Sequence, residues 1–375
     1  MPVRDVLQTL GDLVAINSVN PSYDNGVPEA AVGAYVERYF AGHGIETTRQ
    51  EVLPGRWNVL ARLPGRNAGR RVVLEAHMDT VSVSGMTIPP FEPAVRDGKL
   101  YGRGSCDTKA GLAAMMHAMA ALKDEGMAPP CEVLLAATVD EEHTFHGVVR
   151  LCDGLKADGA IVAEPTEMRV VSASKGVLRF RIKTRGKAAH SAKPHLGVNA
   201  ISHMAAVIQA LDQQSRTLAA RSHPLLGPAT LNIGQIHGGE QINFVPDRCE
   251  IAIDRRLIPG EDPEQVWAGY ALLAAQLGAE AERPMIADGA METASDSDLV
   301  HAAQRVLVDL GRPIAPVGVP FGSDASKLYR QGIPSIIFGP GSIDRAHAAV
   351  EYVECDQVLE AAAFYRRFLL DFQPT

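Results

Sequence analysis

Arg71-Val72-Val73-Leu74-Glu75-Ala76 runs straight into His77-Met78-Asp79. A short apolar run that ends abruptly in polar residues is the signature of a buried strand whose end reaches a surface. Three more runs share the pattern. Residues 132–139 lead into Asp140, Glu141 and Glu142. Residues 160–163 lead into Glu164, and residues 334–338 lead into Gly339-Pro340-Gly341. Helical spacing lies between them. Leu112, Met115, Met116, Met119 and Leu122 form one apolar stripe, read as core packing. Apolar positions at Val6, Leu7, Leu10, Leu13 and Val14 predict a helix over 3–16, ended by Asn17 to Pro21. A second helix is predicted over 30–43, with Gly44 as its cap. Strands alternating with helices predict an α/β sheet.

The texture changes near Lys175. Residues 177–183 alternate apolar and charged side chains, which predicts a strand with one wet face. Helices are predicted over 199–211 and 262–277, the second capped by Asp262 before Pro263, with strands over 231–236 and 249–253. This is a β-α-β-β-α-β pattern of ferredoxin-like α+β character. The expected organisation is a discontinuous catalytic domain, residues 1–174 and 288–375, interrupted by an inserted domain at 175–287.

Composition narrows the function classes. Hydrophobic residues at 46% and charged residues at 21% exclude global disorder and coiled coil. Aromatics are only 5%, so the core must rest on Ala, Val, Leu and Ile. A diffuse net charge of -8 argues against nucleic acid or an anionic membrane as the partner. Five cysteines, an odd number with no Cys-x-x-Cys pair, argue against a disulfide framework. The sequence Met1-Pro2-Val3-Arg4-Asp5 does not read as a signal peptide, and no apolar stretch is long enough to span a bilayer. The expected setting is cytoplasmic.

In an open α/β sheet, ligands bind at the carboxyl ends of strands. His77, Asp79, Glu141, Glu142 and Glu164 are therefore expected at one edge. Carboxylates gathered this way repel each other, and metal cations are the simplest compensation. Asp79 is placed to orient the His77 ring. Adjacent strand residues point opposite ways, so Glu141 and Glu142 are expected to divide the work, one as metal ligand and one as general base. Asp107, in a glycine-rich segment before the Met-striped helix, could cap that helix or bridge two metals.

Five segments in order resemble the M20 metallopeptidase and deacylase family: Val73 to Val81; Gly102-Arg103-Gly104-Ser105-Cys106-Asp107-Thr108; Asp140-Glu141-Glu142; Ala163-Glu164-Pro165-Thr166; and Gly339-Pro340-Gly341-Ser342-Ile343-Asp344-Arg345-Ala346-His347. The resemblance implies two divalent metal ions per chain, zinc with cobalt or manganese also fitting. His77 and Glu164 would hold one, Glu142 and His347 the other, and Asp107 would bridge. Glu141 would be the general base toward the metal-bridging water. A cis Asp107–Thr108 peptide is also implied, and Glu351 takes the family's acidic position after His347.

The insert resembles the family's dimerisation (lid) domain. His190, within Gly186 to Ala200, would reach the partner subunit's active site in a homodimer. Asn243 and Arg256 would meet the substrate, with Arg256 clamping a carboxylate, and Gly341 would lie beside that carboxylate. The implied activity is hydrolysis of an amide in a small N-acyl amino acid, of the acetylornithine deacetylase or succinyl-diaminopimelate desuccinylase kind. The alternatives are a carboxypeptidase or dipeptidase acting on short peptides, and a metal-binding homologue without turnover.

Overall fold

The computed structural model describes residues 5–374, so the first residues of the helix predicted over 3–16 lie outside it. Within the described residues the chain forms two compact units. One comprises residues 5–172, 292–317 and 323–374, and the other Ala173–Met291 with Gly318–Gly322.

The first unit is built on a mixed sheet. Six of its strands lie in the order Glu46–Leu53, Arg56–Leu63, Cys131–Thr138, Asn67–His77, Gly159–Val162 and Ser335–Ile337. The last four run parallel, with Val72 to Glu75 and Ala160 to Val162 buried on both faces, as the apolar runs required. Their register aligns the carboxyl ends: His77 lies opposite Thr138, Glu75 opposite Val162, and Val162 opposite Ile337. The antiparallel pair Glu46–Leu53 and Arg56–Leu63 extends one side of the sheet.

The Met-striped helix is Lys109–Asp124, and Leu112, Met115, Met116, Met119 and Leu122 are all fully buried. It packs against the helices Val6–Val14 and Cys355–Asp371. The core is mostly aliphatic, with one departure from expectation. The few aromatics are concentrated, with Phe338, Phe364, Phe368 and Phe372 stacked in a column along the C-terminal helix.

The main elements of the second unit run strand, helix, strand, strand, helix and two short strands, with two-residue strands such as Ala189–His190 and Phe244–Val245 between them. Its antiparallel sheet runs Thr230–Gly238, Arg248–Leu257, Gly176–Arg185, then the short strands Glu280–Ala281 and Ile286–Asp288. Helices Ala200–Leu218 and Pro263–Gln276 cover one face through Leu178, Phe180, Ile182, Ile251, Ile253, Met204 and Tyr270. Asn199 and Asp262 cap these helices by accepting from backbone amides. Arg179, Lys183 and Glu250 line the opposite face in cross-strand ion pairs.

All five cysteines are free and buried. No helix among the described residues is long and apolar enough to cross a membrane.

Candidate metal centre

His77 closes the Asn67–His77 strand and is buried. Its Nδ1 lies 2.9 Å from the backbone oxygen of Asp79 and 3.7 Å from that residue's carboxylate. The expectation that the Asp79 carboxylate orients the ring is thus corrected in detail. The backbone carbonyl takes the Nδ1 proton, which leaves Nε2 free to ligate. The Asp79 carboxylate serves elsewhere, accepting from the backbone N–H of Glu141 at 3.2 Å and of Glu142 at 3.1 Å.

Glu141 and Glu142 do not sit on a strand, so the expectation from strand alternation fails. The strand stops at Thr138, and Asp140 turns the chain with φ at 71°. Both glutamates follow in the turn, and both side chains come within ligand range of His77.

Asp107 precedes the Met-striped helix but does not cap it. The N-cap position falls to Thr108, and the Asp107–Thr108 peptide is cis. The Asp107 carboxylate instead divides its two oxygens. Oδ1 lies 3.1 Å from His77 Nε2, and Oδ2 lies 3.3 Å from His347 Nε2. His347 Nε2 also lies 3.2 Å from the Glu142 carboxylate. Glu164, beyond the Gly159–Val162 strand, completes a group with His77 and Asp107. The donor atoms of His77, Asp107 and Glu164 lie within 4.8 Å of one another, and so do those of Asp107, Glu142 and His347.

The electrostatics of this cluster are those of a cation site. Burial, then the charges of its neighbours, pushes the Glu164 carboxyl well above the ordinary glutamate range. Glu141 keeps some exposed surface, but desolvation and Glu142 push it well up too. Burial would raise Asp107, yet hydrogen bonds from His347 and His77 hold it below the ordinary aspartate range. Burial pulls His77 down, but Asp107 and the other carboxylates carry it well above a usual imidazole. His347 is raised to about 10 by Asp107 and Glu142. In the metal-free chain, protonated imidazoles neutralise carboxylates that divalent cations would otherwise neutralise. Imidazole nitrogens and carboxylate oxygens at this spacing fit zinc, and also cobalt or manganese.

Glu351 supports the centre from beneath. It is fully buried, and one of its oxygens accepts from the backbone N–H of Cys106 at 2.9 Å and of Asp107 at 3.1 Å. The other accepts from Arg103 Nη1 at 2.5 Å. Gly341 lies on the far side of Cys106, with φ at 89°. A Cβ on it would stand 2.5 Å from Cys106 Sγ.

The remaining candidates belong to the second unit. His190 is exposed, on a two-residue strand that pairs with Phe244, and Ser191 N–H donates to the backbone oxygen of Asn243 at 3.0 Å. His190 and exposed Asn243 are therefore neighbours. Arg256 is half-buried, with its guanidinium bonded to Asp254 at 2.7 Å. Arg255 is sealed in the core by Glu261 and Tyr270. Of the two adjacent arginines, only Arg256 presents its charge outward.

Sequence reasoning missed Asn20, whose amide bonds to Asp79 and Asp140, and Tyr23, whose hydroxyl donates to the backbone oxygen of Glu142 at 3.3 Å. Asn20 lies in the segment Asn17 to Pro21, read only as the end of a helix, and Tyr23 lies just beyond it. Their partners are 59 to 120 residues away, beyond any local pattern.

The chain matches the model of peptidase family M20/M25/M40 over residues 73–371. It is similar to an acetylornithine deacetylase of Myxococcus xanthus, 32% identical over 97% of this chain and 96% of that protein. It is 28% identical to a probable succinyl-diaminopimelate desuccinylase of Staphylococcus epidermidis, over 97% of this chain and 96% of that one. Among solved structures, a tripeptidase of Staphylococcus aureus superposes with a TM-score of 0.80 at 25% identity, covering 98% of this chain and 97% of that one. A dinuclear metal-binding peptidase of Bacillus subtilis shares the fold, with a TM-score of 0.73 at 17% identity over 98% of each chain.

Proposed function

The chain belongs to peptidase family M20/M25/M40, and on that premise we propose that it is a two-metal amidohydrolase that cleaves the amide of a small N-acyl amino acid. The observation that carries this reading is Asp107, whose two carboxylate oxygens are divided between His77 and His347. His77 and Glu164 would hold one ion, Glu142 and His347 the other, and Asp107 both. Bound there, the ions would acidify water and polarise the scissile carbonyl.

Glu141 stands outside that ligand set, and its carboxyl is the proton carrier. It takes a proton from the attacking water and delivers it to the leaving nitrogen, so that amide and water become a carboxylic acid and an amine. In the inserted unit, Arg256 would clamp the substrate carboxylate through its planar fork. His190 would reach the partner subunit's centre in a homodimer and steady the developing oxyanion. Asn243, adjoining His190, and Gly341 would contact the substrate.

The relatives' names favour removal of an acetyl or succinyl group. The likeness to the tripeptidase favours a second reading, cleavage of a short peptide. A panel of N-acetyl-L-ornithine, N-succinyl-L,L-diaminopimelate and di- and tripeptides with the zinc-loaded protein separates them. Glu141→Gln should keep two zinc ions and lose about 100- to 10,000-fold in kcat. Undiminished hydrolysis by that variant would refute the assigned proton carrier. A dilution-stable monomer with full activity would remove the role given to His190.

A further inference from the structure

We infer that Asn20 is a positioning residue for the proposed reaction, acting through the turn that carries Glu141 and Glu142. The inference rests on the roles given to those two glutamates above.

The turn has no strand to hold it. It begins at Asp140, in the left-handed region, and its next two amides point at the Asp79 carboxylate. Asp79 and Asp140 therefore grip the turn from two sides, and both are buried carboxylates. Asp140 is further held by Arg56 at 3.0 Å and His146 at 2.8 Å, and Arg56 is held in turn by buried Glu29.

Asn20 stands between the two carboxylates. Its single Nδ2 lies 2.7 Å from Asp79 Oδ2 and 3.0 Å from Asp140 Oδ1, one hydrogen for each. Its Oδ1 accepts from Ser22 N–H at 3.0 Å, which fixes the amide the right way round. Asn20 is fully buried. An amide of this length supplies two donors from one atom. Serine supplies one, and aspartate supplies none while adding a third negative charge. The same loop adds the Tyr23 hydroxyl on the Glu142 carbonyl. Side chains that orient metal-site ligands from behind typically carry 10- to 100-fold in metal affinity or activity. Glu142 is assigned to only one of the two ions, so loosening its turn must affect the ions unequally.

The test compares full-length Asn20→Asp, Asn20→Ser and Asn17→Ala. Asn17 serves as control because its side chain accepts only a local turn bond from Val19 N–H in the same loop. Hydrogen exchange of the peptide spanning the Glu141–Glu142 turn, measured without metal, should accelerate at least 10-fold in Asn20→Asp, less in Asn20→Ser and not in Asn17→Ala. In chelator-buffered zinc titrations, one binding step should weaken at least 10-fold while the other stays within twofold. With whichever panel substrate the wild type hydrolyses, kcat should fall at least 10-fold with KM within twofold. Unchanged exchange in both Asn20 variants, equal weakening of both zinc steps, matching losses in Asn17→Ala, or failure of both Asn20 variants to fold would each overturn the inference. The exchange arm needs neither zinc nor substrate, so it stands even if the wild type hydrolyses nothing in the panel.

Discussion

Replacing Glu351 by Leu should be among the most damaging single changes outside the ligand set. The side chain is fully buried and satisfies three donors: the amides of Cys106 and Asp107, and Arg103. Arg103 is itself buried, with one remaining bond, to the backbone oxygen of Ser82 at 3.0 Å. Removing one partner of a buried ion pair leaves an uncompensated charge, at about 3–5 kcal/mol. Each orphaned buried amide adds roughly 1–3 kcal/mol. These terms overlap, so a loss of about 5 kcal/mol is expected, a large share of the roughly 5–15 kcal/mol that holds a domain folded. Burial pushes the Glu351 carboxyl up in spite of Arg103, so their attraction does not fully offset desolvation. The double variant Arg103→Met/Glu351→Leu should therefore recover part of the loss, since the buried charge is gone and only the two amides and the Ser82 carbonyl stay unpaired. Urea unfolding of the metal-free proteins, followed by circular dichroism, measures the cycle. A single variant costing less than about 1 kcal/mol, below even one orphaned amide, or a double variant no more stable than the single, would refute the reasoning.

Two further outcomes follow from the centre. His347 is raised to about 10 in the metal-free chain, so at neutral pH a proton must leave before it can ligate. Lowering the pH from 8 to 6 should weaken zinc binding at that ion by about 100-fold and release a proton on binding; affinity independent of pH would contradict the assignment of His347. Gly341→Ala sets a Cβ against Cys106 Sγ and asks alanine to adopt φ of 89°. Overpacking alone costs about 1–3 kcal/mol. The displaced Cys106 adjoins Asp107, so a lowered melting temperature should come with weaker zinc binding, and an unchanged melting curve would show that the loop yields freely.

The strand ends were legible because buried parallel strands need unbroken apolar runs, and each run stops where His77 or Glu164 meets the sheet's edge. The edge hairpin was not legible. Glu46–Leu53 is half wet and rich in Thr and Glu, so it shows neither an apolar run nor clean alternation. Asp107 and His347 carry no periodic signal and were found only through the motifs around them. The supports lay beyond local reading altogether. Arg103 and Glu351 are 248 positions apart, and nothing near either residue announces the other.

Asp79 explains why a local rule pointed at the right residue for the wrong reason. A histidine followed two residues later by aspartate suggests a carboxylate behind the ring, and the aspartate is indeed behind it. But the turn that bears Glu141 and Glu142 leaves its own amides without strand partners, and buried amides require acceptors. The nearest acceptor is the Asp79 carboxylate, which they take. The ring's Nδ1 is then served by the Asp79 carbonyl, which any residue at that position would offer in the same backbone conformation. The side chain of Asp79 therefore belongs to the glutamate turn and its backbone to the histidine. Asn20 fits the same logic, because a carboxylate already committed to two amides needs a donor, not a cation, to hold it beside Asp140. An arginine or lysine there would add a second cation beside Asp140, which Arg56 already pairs. A neutral amide aligns both carboxylates and adds no charge of its own.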